Sequence, residues 1–298
     1  MSIGFSQRFI NIETSWFDGG LASKVSAGIV RHASTLTGVK VSQGVTSFEV
    51  VPAGPFAEAI FAHQYVLEES AELNFDAKGH DLYFYVLAGA GSVTFEKFSY
   101  GSISKVGDSA EQSGSLSLLE GSAILLLDGE SLHLRSEKSA GKLEVLVASV
   151  PSPVTPWADF LKRETVPASR VATTRLGAAQ HQAATGDRQF EVLFDASNGS
   201  RGATLFVGFI PSSGAPQHYH LYDEICVIVR GSGALASPDG SEQKLVKGSA
   251  FHVSPRLLHA IHNPNPEDLW ILGLFRPEGS ASAAFYPDGR PAPVDPVR

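Results

Sequence analysis

The chain has 298 residues, 43% of them hydrophobic, and its 23 basic and 31 acidic side chains give a formal charge of −8. That length suits two units of about 150 residues, each able to bury a core. The acidic balance excludes a nucleic-acid surface, which needs a basic stripe, and the absence of an apolar run of about 20 residues excludes a membrane helix.

The opening MSIGFSQRFINIETSWFDGG lacks a basic start followed by an apolar stretch, so no signal peptide is expected. The single cysteine, Cys226, cannot form an internal disulfide, and a cytoplasmic setting is expected. Short Val/Ile/Leu/Phe runs separated by turn residues predict strands at 47–51, 60–66, 82–87, 92–95, 123–127 and 143–150. The segment 97–114 is rich in Ser and Gly and reads as an exposed loop. Thr155-Pro156 opens a predicted helix at 155–163, inside a linker at 151–169. Strands resume at 189–194, 204–210, 224–230, 233–237, 249–253, 259–262 and 270–275, with a hairpin turn at Pro238-Asp239-Gly240. The tail, 283–298, is proline-rich and is expected to pack across a barrel or a partner without regular structure.

A weak internal repeat relates the halves. Leu82 to Gly91 and Glu224 to Gly233 are each an apolar strand closed by a Gly-x-Gly turn, 142 residues apart. Glu120-Gly121-Ser122-Ala123 echoes Lys247-Gly248-Ser249-Ala250, 127 residues apart. The expected organisation is an N-terminal unit at 1–150, the linker, and a C-terminal unit at 170–298. Regular short strands with turn signals suit barrels or sandwiches.

The chemistry concentrates at Gln217-His218-Tyr219-His220-Leu221-Tyr222-Asp223-Glu224. In a strand, residues two apart share a face, so His218, His220 and Glu224 would project together as a metal-binding group. A fourth donor, His259, follows in Ser254-Pro255-Arg256-Leu257-Leu258-His259, with Asn263 four residues on.

This pattern resembles the two motifs of the cupin superfamily. His218, His220, Glu224 and Gly231 match the first, and Gly248, Pro255, His259 and Asn263 the second. The departures are Leu257 where a glycine is usual, the late proline, and Gly214 in place of a more distant glycine. The resemblance implies an all-β chain of two tandem cupin barrels, a bicupin of the double-stranded β-helix type. It also implies ligands His218, His220, Glu224 and His259 for one divalent transition metal: Fe, Mn, Ni, Co or Zn.

The first half keeps the pattern without the ligands. Aligning Gly89 with Gly231 puts Asp76, Lys78 and Leu82 at the ligand positions. His63, His80 and His133 remain, and His133 lies 12 residues after Gly121, near the 11 that separate His259 from Gly248. They read as structural residues, which leaves a degenerate barrel.

Cys226, Ile228 and Arg230 share the parity of Glu224 and are candidate substrate contacts; Cys226 reads as a small hydrophobe rather than a nucleophile. Glu224, Tyr222 and His252 are candidate acid–base groups. His262 reads as structural and Arg256 as a solvated rim residue. The resemblance permits a dioxygenase on a small organic substrate, which is placed first. Its alternative is a non-redox isomerase, lyase, decarboxylase or aminohydrolase; a non-catalytic binding protein comes third. A homodimer is expected.

Overall fold

In the computed structural model, residues 28–54, 59–98, 114–152 and 170–293 are described. The helix predicted at 155–163 and most of the 97–114 loop fall outside them. The strands are β1 Arg31–His32, β2 Val39–Ser42, β3 Val45–Val51, β4 Phe61–Leu67, β5 Glu72–Asp76, β6 His80–Ala88, β7 Ala90–Lys97, β8 Ser115–Leu119, β9 Ser122–Leu126, β10 Ser131–Ser136 and β11 Leu143–Pro151. They continue as β12 Thr173–Arg175, β13 Gln182–Ala183, β14 Gln189–Phe194, β15 Thr204–Ile210, β16 Ala215–His218, β17 Asp223–Arg230, β18 Ser232–Ala236, β19 Glu242–Val246, β20 Ser249–Val253, β21 His259–His262 and β22 Leu269–Arg276. Among the described residues no helix is long and apolar enough to cross a membrane.

The strands form two barrels of the same plan. Each pairs a seven-stranded sheet with a four-stranded one: β12-β9-β6-β11-β4-β3-β2 with β5-β10-β7-β8, and β1-β20-β17-β22-β15-β14-β13 with β16-β21-β18-β19. The sheet orders superpose strand for strand, as the repeat requires. The outermost strands are exchanged. β1 pairs with β20 of the second barrel, and β12 pairs with β9 of the first.

The large sheets are apolar on both faces. Along β6, Leu82, Phe84 and Val86 face the interior of the first barrel, while Tyr83, Tyr85 and Leu87 join Val207, Ile225, Val227 and Leu272 in a core between the barrels. Along β17, Ile225, Val227 and Val229 face that shared core, and Cys226 and Ile228 face the second barrel's interior. This double burial explains why both strands read as unbroken apolar runs rather than alternating ones.

Polar ties cross the same boundary. Arg201 pairs with the fully buried Asp81, its Nε 3.1 Å from Oδ2, and the Tyr83 hydroxyl lies 2.6 Å from Ser200 Oγ. Arg170, just after the linker, donates to both carboxylate oxygens of Glu130 at 2.7 and 2.8 Å. Burying these charges costs solvation that only close pairing offsets.

The interior of the first barrel is filled by Phe84, Phe95, Leu126, Leu132 and Leu134. Asp76 and Lys78 are exposed and bond each other at 3.3 Å, while Leu82 is buried. Strand register corrects the comparison of His133 with His259. His259 stands opposite His218, whereas Asp76, the counterpart of His218, stands opposite Ser131; His133 stands opposite Asn74. His133 Nε2 instead lies 3.4 Å from Glu72 Oε2, and His63 Nδ1 lies 3.0 Å from Ser47 Oγ. His80 Nδ1 lies 3.4 Å from Lys78 O.

Candidate metal centre

Antiparallel pairing of β16 with β21 brings the two motif stretches together. His218 is directly opposite His259, and their ring centroids are 4.3 Å apart. β16 ends at His218, so His220 lies in a turn before β17 rather than on a continuous strand. Local bonds orient it instead. Its Nδ1 lies 2.9 Å from Tyr222 O, and its carbonyl accepts from Arg256 N at 2.7 Å. Tyr222 stacks on the ring at 4.2 Å and 12°. The His220 centroid is 5.3 Å from that of His259, and its Nε2 is 2.9 Å from Glu224 Oε2. All four side chains are buried and line one cavity.

The three imidazoles share one hydrogen-bonding scheme. Nδ1 of His218 lies 2.7 Å from Pro216 O, that of His220 2.9 Å from Tyr222 O, and that of His259 3.0 Å from Leu257 O. A backbone carbonyl only accepts, so each Nδ1 carries the proton and each Nε2 presents a lone pair to the cavity. Burial, then the neighbouring His259 and Arg188, holds His218 well below the ordinary histidine range. Burial, then His220, lowers His259 to about 4. Neutral imidazoles oriented through a second bond are the form that binds cations. Nε2 of His220 is buried without a hydrogen-bond partner and faces a carboxylate oxygen. Two acceptors that close repel unless an electropositive group stands between them.

Donor chemistry and tautomers therefore fit a divalent transition ion. As the side chains stand, no group of three or more His, Cys, Asp or Glu among the described residues is arranged so that it could hold a metal ion.

The other sequence candidates divide. Cys226 lines the cavity, and burial beside Glu224 pushes its thiol well up, which keeps it protonated. Tyr222 lines it too; burial and Glu224 push its phenol up, and its hydroxyl donates to Ser280 O at 3.3 Å. Ile228 packs in the barrel interior outside the cavity lining. Arg230 is not inside the barrel. A register shift between Ile228 and Arg230 turns it out, where its guanidinium sits 4.7 Å over the Trp270 ring. His252 is also outside, because its neighbours Phe251 and Val253 take the inward positions; its Nε2 lies 3.0 Å from Asp223 Oδ1. His262 is exposed, 2.6 Å from Glu242 Oε1. The motif's left-handed residue is Arg256, at φ 66°, rather than Leu257.

Several cavity residues carried no signal in the sequence. Phe206 and Phe275 pack with ring centroids 4.4 Å apart, tilted by 36°, as one wall. Gly273 leaves room for that wall and for Glu224. Arg188, in the turn between β13 and β14, adds a cation. The tail crosses the ligand turn: Phe285 exchanges two 2.9 Å backbone bonds with Tyr219 and stacks on its ring, which brings Ala281 and Ala284 over the cavity.

A family profile described as Cupin domain matches residues 205–275. No curated protein matches the chain. Among solved structures, a Bacillus subtilis oxalate decarboxylase variant is similar at 14% identity and a TM-score of 0.60, covering 88% of this chain and 80% of that one. A study of the manganese(II) centres of that enzyme gives the same figures. Another oxalate decarboxylase structure, on substrate binding and reaction specificity, reaches 0.61 at 14% identity with the same coverage. With the same strand order in both barrels and the cupin profile seated on the second, the chain has the two-barrel bicupin fold, with a cupin domain over residues 205–275.

Proposed function

We propose that this bicupin is a metal-dependent enzyme that transforms a small organic molecule without dioxygen, as a decarboxylase, lyase or isomerase does. The observation that carries the reading is the common tautomer of His218, His220 and His259, each with Nδ1 tied to a backbone carbonyl and Nε2 turned to the cavity. With Glu224, these residues would hold one divalent ion. Bound there, the ion supplies Lewis-acid stabilisation of a developing oxyanion or enolate.

The chain's own groups do the rest. Tyr222, stacked on His220 and held by Ser280, fixes the plane of that ring. Glu224 would take up a proton when it loosens from that ion. Phe206, Phe275 and the tail alanines exclude water, which strengthens each polar contact inside. The dioxygenase placed first in the sequence analysis gives way to its alternative, because the likeness reported above is to a decarboxylase, and replacing CO2 by a proton is redox-neutral overall.

The test is turnover of a panel of small carboxylic acids by metal-loaded protein under strict anaerobiosis. Turnover that survives removal of oxygen, and is lost in His259→Ala, supports the proposal. Stoichiometric oxygen consumption with each turnover overturns it.

A further inference from the structure

We propose that Arg188 anchors a single carboxylate of the substrate, and that the rest of the substrate is an apolar body. This rests on the enzyme reading above and specifies its substrate class. Arg188 lines the cavity that holds the four candidate ligands. It also borders an adjoining cavity lined by Asp187, Ser213 and Tyr286, with His218 common to both. One edge of its guanidinium is pinned: Nε donates to Thr185 O at 2.8 Å, and Nη2 donates to Thr185 Oγ1. Among the described residues Nη1 has no hydrogen-bond partner, which leaves it for a ligand.

The other arginines show what this position lacks. Arg170 and Arg201, both buried, pair with the buried carboxylates Glu130 and Asp81. Arg230 rests on Trp270. Arg188 is partly buried, and burial is the largest influence on it, lowering its affinity for its proton. Yet it has no ion pair among the described residues. Asp187 and Glu224 act on it only through space; a partly buried guanidinium held in place with no direct ion pair among the described residues is a site that a carboxylate completes, through charge-assisted bonds of fixed geometry.

The remaining walls set the body of the ligand. Phe190, Phe206, Phe209, Phe251, Phe275 and Ile271 surround the cavity, which has one arginine and no lysine in its lining. A bare dianion such as oxalate would make little use of those apolar walls. An aryl or branched aliphatic carboxylic acid places one charge on Arg188 and buries its body against the phenylalanines.

The experiment is calorimetric titration of zinc-loaded protein with phenylacetate, phenylacetamide and oxalate, with metal content measured on each sample. The expected result is phenylacetate binding at least about tenfold tighter than the other two. Arg188→Gln should lose that preference, Arg188→Lys should retain part of it, and Arg135→Gln, an exposed control on the first barrel, should retain all of it. Melting curves on each variant show that it is folded. Oxalate binding tighter than phenylacetate, or equal phenylacetate affinity in folded Arg188→Gln, overturns the proposal. Arg188-dependent binding by a protein that takes up no metal sinks the metal reading and leaves this assignment standing; normal metal uptake with no Arg188 dependence does the reverse.

Discussion

Gly273→Ala adds one methyl group at the point where the cavity wall and a candidate ligand meet. A Cβ there would lie 2.2 Å from Cε1 and Cζ of Phe206 and 2.9 Å from Glu224 Oε1. Phe206 cannot swing aside freely, because Phe275 lies 4.4 Å and Phe190 6.0 Å from its ring centroid. Overpacking of this kind costs about 1–3 kcal/mol, which for a barrel-sized unit lowers Tm by roughly 3–10 °C. Displacing Glu224 should weaken metal affinity by about tenfold or more. Differential scanning calorimetry and metal titration read the two effects. Phe206→Leu removes the ring edge that clashes, so the double variant should be more stable than Gly273→Ala alone, with a coupling of about 1 kcal/mol or more. Unchanged Tm and unchanged metal affinity in Gly273→Ala would refute the reasoning.

Three other outcomes follow from the same geometry. Arg201→Met strips the cation from buried Asp81 and should cost about 3–5 kcal/mol in urea unfolding at pH 8; burial already pushes the Asp81 carboxyl up, so the loss should shrink at pH 5 as that carboxyl takes a proton, and a loss below about 1 kcal/mol at pH 8 contradicts the assignment. Arg256→Gly relieves a non-glycine residue at φ 66° and should stabilise the chain by about 1 kcal/mol in the same assay, provided its backbone bond to His220 O is kept; destabilisation counts against the strain. In chelated protein, His259 binds its proton near pH 4 folded but near 6.5 unfolded, so the unfolded state holds more protons between those values. Its stabilising contribution is complete above about pH 6.5 and is lost as pH falls toward 4, reaching about 2 kcal/mol of loss by pH 5. His259→Gln should flatten that slope, and an equal slope in the variant rules the group out.

Much of the barrel pattern was legible because β6, β9, β11, β15, β17 and β22 are buried on both faces, and their apolar runs are unbroken. The four-stranded sheets were harder to read. β5 and β8 are partly exposed, and β10 alternates over only six residues with His133 and Arg135 among its outward positions. The exchange of β1 and β12 depends on contacts distant in sequence and has no local signature. At the site, the motif spacing picked out four residues that converge, although strand parity was the wrong account of His220, which a turn positions. Parity also misplaced Arg230, beyond a register shift, and His252, on a strand whose inward residues are odd-numbered. Arg188 and Gly273 were silent because a polar turn and a glycine in a strand become informative only when the opposing residues are known.

The central claim is that the second barrel alone grips a cation. Metal content of protein reconstituted with Mn(II) or Co(II) and dialysed to constancy tests it most directly. One ion per chain is predicted for the native sequence and for His133→Ala, and none for His218→Ala or His259→Ala. A native chain that retains no ion, or one that keeps its ion after both His218 and His259 are replaced, would contradict the account.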